Sequence, residues 1–308
     1  NTRLFFLFYP CVKGWARVQC VIIGGYPPLS FIQTTGFNSM FVIDDTKKEM
    51  LSTLIESGKN CLLTGATGCG KTTLCLEVAN SLGMNPIVIN MGSTQDARTS
   101  LIGYHVLEDG TTRFQTSDFI KAIQTPNTLI ILDELSRASD DAFNIIFPLL
   151  DFRRDIRVEE LGGSGETIMV DPSVRFVATA NIGLDYSSAR SLDRALKDRF
   201  IPFHLDYIKG KELTKYITHL YDKEISKTAK PLVQVYDYSH QQYKDSKISS
   251  QISTRMVLEC VPLMDKFSLK DILNNVLLSM YEEDSCSVIN DANIIREYAD
   301  SLGMFEVN

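Results

Sequence analysis

Net positive charge, paired cysteines and long apolar runs are all missing from this chain, and each absence closes a class of function. The 31 Lys and Arg residues are outnumbered by 38 Asp and Glu, giving a net charge of −7. That balance argues against nucleic-acid binding driven by overall charge and leaves only local basic loops for it. The seven cysteines, at 11, 20, 61, 69, 75, 260 and 286, include no C-x-x-C pair. Their spacing fits reduced, cytosolic usage rather than a disulfide frame or a zinc site. The four histidines (His105, His204, His219, His240) are scattered, so no metal cluster is legible. No apolar run reaches the roughly 20 residues of a membrane helix. Residues 4–9 are apolar but short, and the uncharged stretch 18–43 is broken by Pro27, Pro28, Gln33 and Asn38. Arg3 precedes the apolar run, yet the h-region and cleavage site of a signal peptide do not follow. A cytoplasmic protein without a membrane partner is expected. Internal repeats and low-complexity tracts are absent too. The chain opens on Asn1 rather than on methionine, as a fragment or processed chain would.

What is present is ordinary in amount and specific in pattern. Across 308 residues, 44% are hydrophobic and 22% charged, enough for a sizeable core and roughly two domains. The most specific stretch is Gly65, Ala66, Thr67, Gly68, Cys69, Gly70, Lys71, Thr72, which fits G-x-x-x-x-G-K-[ST]. An apolar strand pattern at 60–64 precedes it, and residues 73–82 carry apolar side chains at helical spacing. Glycines let the backbone wrap a polyphosphate with its N–H groups inward, and the following helix adds its positive end. Lys71 is placed to reach the β- and γ-phosphates, Thr72 to ligate Mg²⁺, and Thr73 closes the nucleotide-binding segment.

The remaining pattern is that of an α/β domain followed by a helical one. Residues 47–57 read as a helix with Met50, Leu51, Leu54 and Ile55 on one face. Apolar strands are expected at 86–91, 128–134, 174–181 and 200–205. Short helices are expected at 119–124 and 141–150. Hairpins are expected around Glu108-Asp109-Gly110-Thr111 and Gly162-Gly163-Ser164-Gly165. After about Tyr207 only helical spacing is found, as at 271–280 and 294–302. The reading is therefore an extension at 1–43 without assigned elements, an α/β domain at 44–207 and a helical domain at 208–308. Lys209, Lys211, Lys215, Lys223, Lys227 and Lys230 are interleaved with acids and read as a solvated face.

Asp133 and Glu134 close an apolar strand, where ligands of open α/β sheets bind. Asp133 is the candidate for Mg²⁺ and Glu134 for the general base that activates water. Asn181, at the end of a later strand, is placed to orient that water.

The order of these pieces resembles AAA+ ATPases. The motifs are residues 65–72, 129–134, 176–181, 192–200 (Leu-Asp-Arg-Ala-Leu-Lys-Asp-Arg-Phe) and Ser253-Thr254-Arg255, and they cover roughly residues 44–265. The nearer resemblance is to the MoxR and dynein-related group, which includes CbbQ, CobS, GvpN and midasin. It implies a three-layer P-loop domain with a parallel sheet and a smaller all-α lid. It also implies ATP and Mg²⁺ as ligands, ATP hydrolysis, and a homo-oligomeric ring, commonly hexameric. By that resemblance Asn181 is sensor 1, Arg199 the arginine finger and Arg255 sensor 2, with Arg194 and Arg190 as alternative fingers. The two hairpins correspond to inserts that face a ring's pore. Ser136-Arg137-Ala138 stands where many relatives have Asn-Arg-Ala. No von Willebrand A module is found in the sequence, so a partner of that kind would be a separate chain. The implied task is remodelling or activating a partner protein, a MoxR-like chaperone role or metal insertion as with CobS. The competing readings are a nucleic-acid-directed motor, such as a McrB-like GTPase or helicase loader, and a slow nucleotide switch.

Overall fold

A computed structural model describes residues 5–9, 16–20, 45–93, 96–108, 110–181, 198–221, 227–281 and 291–304. Strands β1 (Phe5–Tyr9) and β2 (Ala16–Cys20) pair as an antiparallel ribbon in the extension where no element was expected. Helix α1 (Asp45–Glu56) buries Leu51 and Ile55 completely. Met50, expected on the same face, is 55% exposed. It lies one helical step from Leu51, about 100° around the axis, and so points off the buried stripe.

The centre of the molecule is a five-stranded parallel sheet. Its strands are β3 (Cys61–Gly65), β4 (Asn85–Asn90), β7 (Thr128–Asp133), β10 (Arg175–Asn181) and β11 (Ile201–His204). They lie in the order β11-β3-β10-β7-β4. Parallel strands covered on both faces need near-continuous apolar runs, and β7 and β10 have them. Successive side chains alternate between the two faces. Leu129 and Ile131 pack with α1 and with α2 (Lys71–Ser81), through Leu51, Leu74 and Val78. Ile130 and Leu132 pack on the other face against α3 (Ala97–Leu101), α4 (Asp118–Gln124) and α5 (Asp140–Leu150). The result is a three-layer α/β domain of the P-loop type.

Two hairpins stand off this domain. One pairs β5 (Gly103–Glu108) with β6 (Thr111–Thr116), the other β8 (Asp155–Val158) with β9 (Glu166–Met169). Arg98 of α3 donates to Glu160 of the second hairpin's loop from Nε at 2.9 Å, tying the base of the first hairpin to the tip of the second.

Beyond β11, all regular elements among the described residues are helical. They are α6 (Gly210–Leu220), α7 (Lys230–Lys244), α8 (Thr254–Cys260), α9 (Leu269–Ile272) and α10 (Asp291–Ser301), around a separate core that includes Leu213, Tyr236, Val257 and Ile295. The single helix expected at 271–280 is instead α9, a π turn (Leu273–Leu277) and a 3₁₀ turn (Leu278–Tyr281). Winding at five residues per hydrogen-bonded step keeps Ile272 with Leu277, and Leu273 with Leu278, inside the core. Lys209, Lys211, Lys215, Lys227 and Lys230 are exposed, and Lys223 lies outside the described residues. Among the described residues no helix is long and apolar enough to cross a membrane.

Candidate functional site

The loop between β3 and α2 is shaped by contacts that exclude side chains. A Cβ on Gly65 would sit 2.2 Å from the Leu205 carbonyl oxygen, because the chain after β11 runs against the loop and Leu205 N–H bonds Thr64 O at 2.8 Å. A Cβ on Gly68, at φ +76°, would sit 2.9 Å from Ser253 Cβ in the helical region. Helix α2 opens after Gly70, in the left-handed region, with no side chain capping its first turn. The loop is thus a backbone cradle at a helix N-terminus, the surroundings a polyphosphate needs.

Lys71 and Thr72 both turn into this cradle. Lys71 Nζ donates to the Gly65 carbonyl at 3.0 Å and the Ala66 carbonyl at 2.8 Å, and lies 3.8 Å from Cys69 Sγ. Burial holds its ammonium below the ordinary lysine range, and the guanidinium of Arg255 adds to that, while Cys69 and Asp133 oppose it. A buried cation held by neutral carbonyls is a ready partner for an anion. Burial likewise pushes the Cys69 thiol up.

Thr72 Oγ1 donates to Asp133 Oδ1 at 2.7 Å, so the loop and the acid of β7 meet although β10 lies between their strands. Thr179 of β10 spans the gap. Its hydroxyl donates to the same Asp133 oxygen at 2.6 Å and accepts the Glu134 N–H at 3.1 Å. Strand β7 ends at Asp133, one residue earlier than expected. Glu134 stands in the left-handed region at φ 55°. That conformation costs a non-glycine residue roughly 1–2 kcal/mol. The Thr179 hydroxyl holds its N–H, and Arg137 Nη1 holds its carboxylate at 3.1 Å.

The hydroxyl of Thr72 and the carboxylate of Asp133 form a hard oxygen pair suited to Mg²⁺, with phosphate and water as its other ligands. No group of three or more His, Cys, Asp or Glu among the described residues could hold a metal by itself. The donors therefore fit a cation that arrives with a nucleotide.

The other expected residues fall in two places. Asn181 ends β10 directly opposite Gly65. Arg255 lies in the first turn of α8, which Ser253 caps by accepting the Met256 N–H at 3.2 Å. A Cβ on Gly68 would be 3.5 Å from Arg255 Cβ, so the structure brings Arg255 to the loop. Arg199 sits elsewhere. Its carbonyl accepts from Asn60 Nδ2 at 3.3 Å, at the amino end of β3, and its guanidinium lies 4.7 Å above the Phe147 ring. The five residues of β3 separate that end from the loop by about 16 Å. Arg199 therefore does not reach the cradle of its own chain. Arg190 and Arg194 lie outside the described residues.

Sequence reasoning missed Thr179 and Tyr207. A lone hydroxyl within the otherwise apolar run 176–180 was the available signal for Thr179. Tyr207 Oη donates to the Thr67 carbonyl at 2.5 Å, across 140 positions of chain, and no local pattern marks it.

Residues 60–200 match the model of the AAA domain, dynein-related subfamily. The chain is 33% identical over 150 residues to BssE of Thauera aromatica, covering 48% of this chain and 51% of that one. It is 26% identical over 237 residues to midasin of Dictyostelium discoideum, covering 76% of this chain and 4% of that one. The chain thus spans about half the length of the first relative and a small part of the second. Among solved structures, NtrX from Brucella abortus in complex with ADP superposes with a TM-score of 0.50 at 12% identity, over 87% of this chain and 56% of that one.

Proposed function

The chain belongs to the dynein-related AAA domain family, and from that premise we propose that it is an ATP-hydrolysing ring motor acting on a partner protein. The observation that carries the reading is the convergence of the Thr72 and Thr179 hydroxyls on one carboxylate oxygen of Asp133 beside a glycine cradle. Lys71 exchanges its two loop carbonyls for phosphate oxygens. Thr72 and Asp133 hold Mg²⁺, which supplies charge neutralisation on the phosphates when bound. Glu134 takes a proton from the attacking water, and Asn181 orients that water. In this reading the domain of 44–207 holds the nucleotide and the lid of 208–308 closes over it through Arg255.

Arg199 serves the neighbouring subunit. Its distance from its own cradle, with the guanidinium held over the Phe147 ring, suits a role toward another copy. A closed ring of identical chains, taken as a hexamer, is an assembly that such a head-to-tail contact builds when its rotation closes. BssE carries a chaperone name, and this supports a protein rather than a nucleic-acid partner, as does the net charge of −7. The CobS resemblance makes a metal-insertion complex one candidate partner.

The test is a Glu134→Gln variant, which should bind ATP, fail to cleave it, and retain its partner through purification. Turnover equal to the parent's would remove Glu134 as the base. A parent chain that binds no nucleotide would end the whole reading.

A further inference from the structure

We infer that Tyr207 is a positioning residue for nucleotide binding, one that acts through the phosphate loop rather than by touching the ligand. The inference rests on the nucleotide-binding reading above.

The phenol donates to the Thr67 carbonyl at 2.5 Å. Thr67 and Gly68 share one planar trans peptide, in which C=O and N–H point in opposite directions. Holding the Thr67 carbonyl toward Tyr207 therefore aims the Gly68 N–H away from that side chain, which keeps it available to a phosphate. Gly68 is at φ +76°, a residue with wide backbone freedom. Without a tie, the 67–68 peptide is free to rotate and offer a carbonyl oxygen to the phosphates, an acceptor facing an anion. The hydrogen bond removes that alternative before the ligand arrives, so less ordering is left for binding to supply.

Tyr207 is itself held. Its ring packs against both the sheet-side core and the lid core. It stands edge-on to Tyr236 at 6.4 Å and to His240 at 4.6 Å. Tyr236 Oη donates to the Ile208 carbonyl at 2.7 Å and lies 3.2 Å from Thr254 Oγ1, and His240 Nε2 lies 2.8 Å from the Ile252 carbonyl. Those last partners flank Ser253, which packs on Gly68 from the lid. One peptide of the loop is thus gripped from two sides by a single aromatic cluster. The position of the lid and the orientation of the Gly68 N–H are set together.

The experiment compares the parent with Tyr207→Phe, which keeps the ring and removes only the hydroxyl. Binding of Mg-ATP, Mg-ADP and adenosine is measured by displacement of a fluorescent nucleotide, with circular dichroism and gel filtration to show an intact fold. Losing one hydrogen bond should weaken ATP and ADP about fivefold and leave adenosine unchanged. In turnover, KM for ATP should rise by that factor while kcat holds within twofold. A variant that binds ATP and ADP as the parent does overturns the inference alone. So does an equal loss for adenosine, which would put the phenol on the base, or a loss confined to kcat. A parent that binds no nucleotide sinks the nucleotide reading together with this one.

Discussion

Thr179 and Asp133 share a short hydrogen bond, Oγ1 to Oδ1 at 2.6 Å, and through it the middle strand of the sheet sets the geometry of both acids. The same Thr179 oxygen takes the N–H of Glu134, the residue in the left-handed turn. Thr179→Val keeps the shape and removes both functions. The Glu134 N–H is then left without its partner, a loss of about 1–3 kcal/mol. We expect a lower urea midpoint and slower ATP turnover. A variant that matches the parent in both would show that the two acids hold their own positions.

Lys71→Ala and Glu134→Gln should fail in different ways. The first removes the cation of the cradle and should abolish ATP binding. The second leaves the cradle whole and removes the base, so ATP binds and turnover falls ~10²–10⁴-fold. Equilibrium binding and phosphate release measured on both variants check this, and indistinguishable binding defects would contradict the division of labour.

Arg199→Ala should bind ATP and hardly hydrolyse it, since an arginine supplied from a neighbour contributes ~10³–10⁵ in rate. Its subunits keep an intact loop, while Lys71→Ala subunits keep the arginine. In randomly mixed rings, roughly a quarter of interfaces join an intact loop to an intact arginine. Mixing two inactive proteins should then restore activity. Mixed rings seen by native mass spectrometry with no turnover would refute the contribution in trans.

His240 makes stability sensitive to mild acid. Burial holds its imidazole down at about 4, against an ordinary value of 6.5. Unfolding frees it to take a proton, so the unfolded chain binds more protons between those two values. Stability from this group is complete above about pH 6.5 and is lost as pH falls toward 4. The loss is of order 3 kcal/mol, at 1.36 kcal/mol per pH unit. His240→Gln should lose less stability than the parent as pH falls from 6.5 to 4. Parallel curves for the two proteins from pH 7 to 4 would show that His240 stays solvated.

Arg255 has a placement that helix electrostatics disfavours, a cation in the first turn of α8 beside the buried Lys71 ammonium. A phosphate between the two cations relieves that repulsion. Arg255→Ala should therefore raise the Kd for ATP while leaving the free protein's melting point at or above the parent's. An unchanged Kd would separate the lid from the nucleotide.

The parts of this protein that its sequence determined are those written in consecutive residues. The glycine cradle, Lys71 and Thr72 sit within eight positions, and the flanking strand and helix are marked by period alone. Asp133 is legible because an apolar run of strand length stops there. The alternation of strands and helices up to Tyr207, and the helical spacing after it, was sufficient for the fold class. Tertiary structure decided what depends on residues far apart in the chain. Strand order is one case: β10 lies between β3 and β7, and only that neighbourhood turns Thr179 from a buried hydroxyl into the link between Thr72's partner and Glu134. The left-handed turn at Glu134 and its pairing with Arg137 are another, since propensity alone would extend the strand through it. Arg199 lies at the far end of β3 from the loop, and Tyr207 reaches back 140 positions to Thr67. Local propensity records the shape of each segment. Side-chain hydrogen bonds across a sheet, and packing between the sheet domain and the helical region, exist only once the strands have taken their order and the two cores have closed.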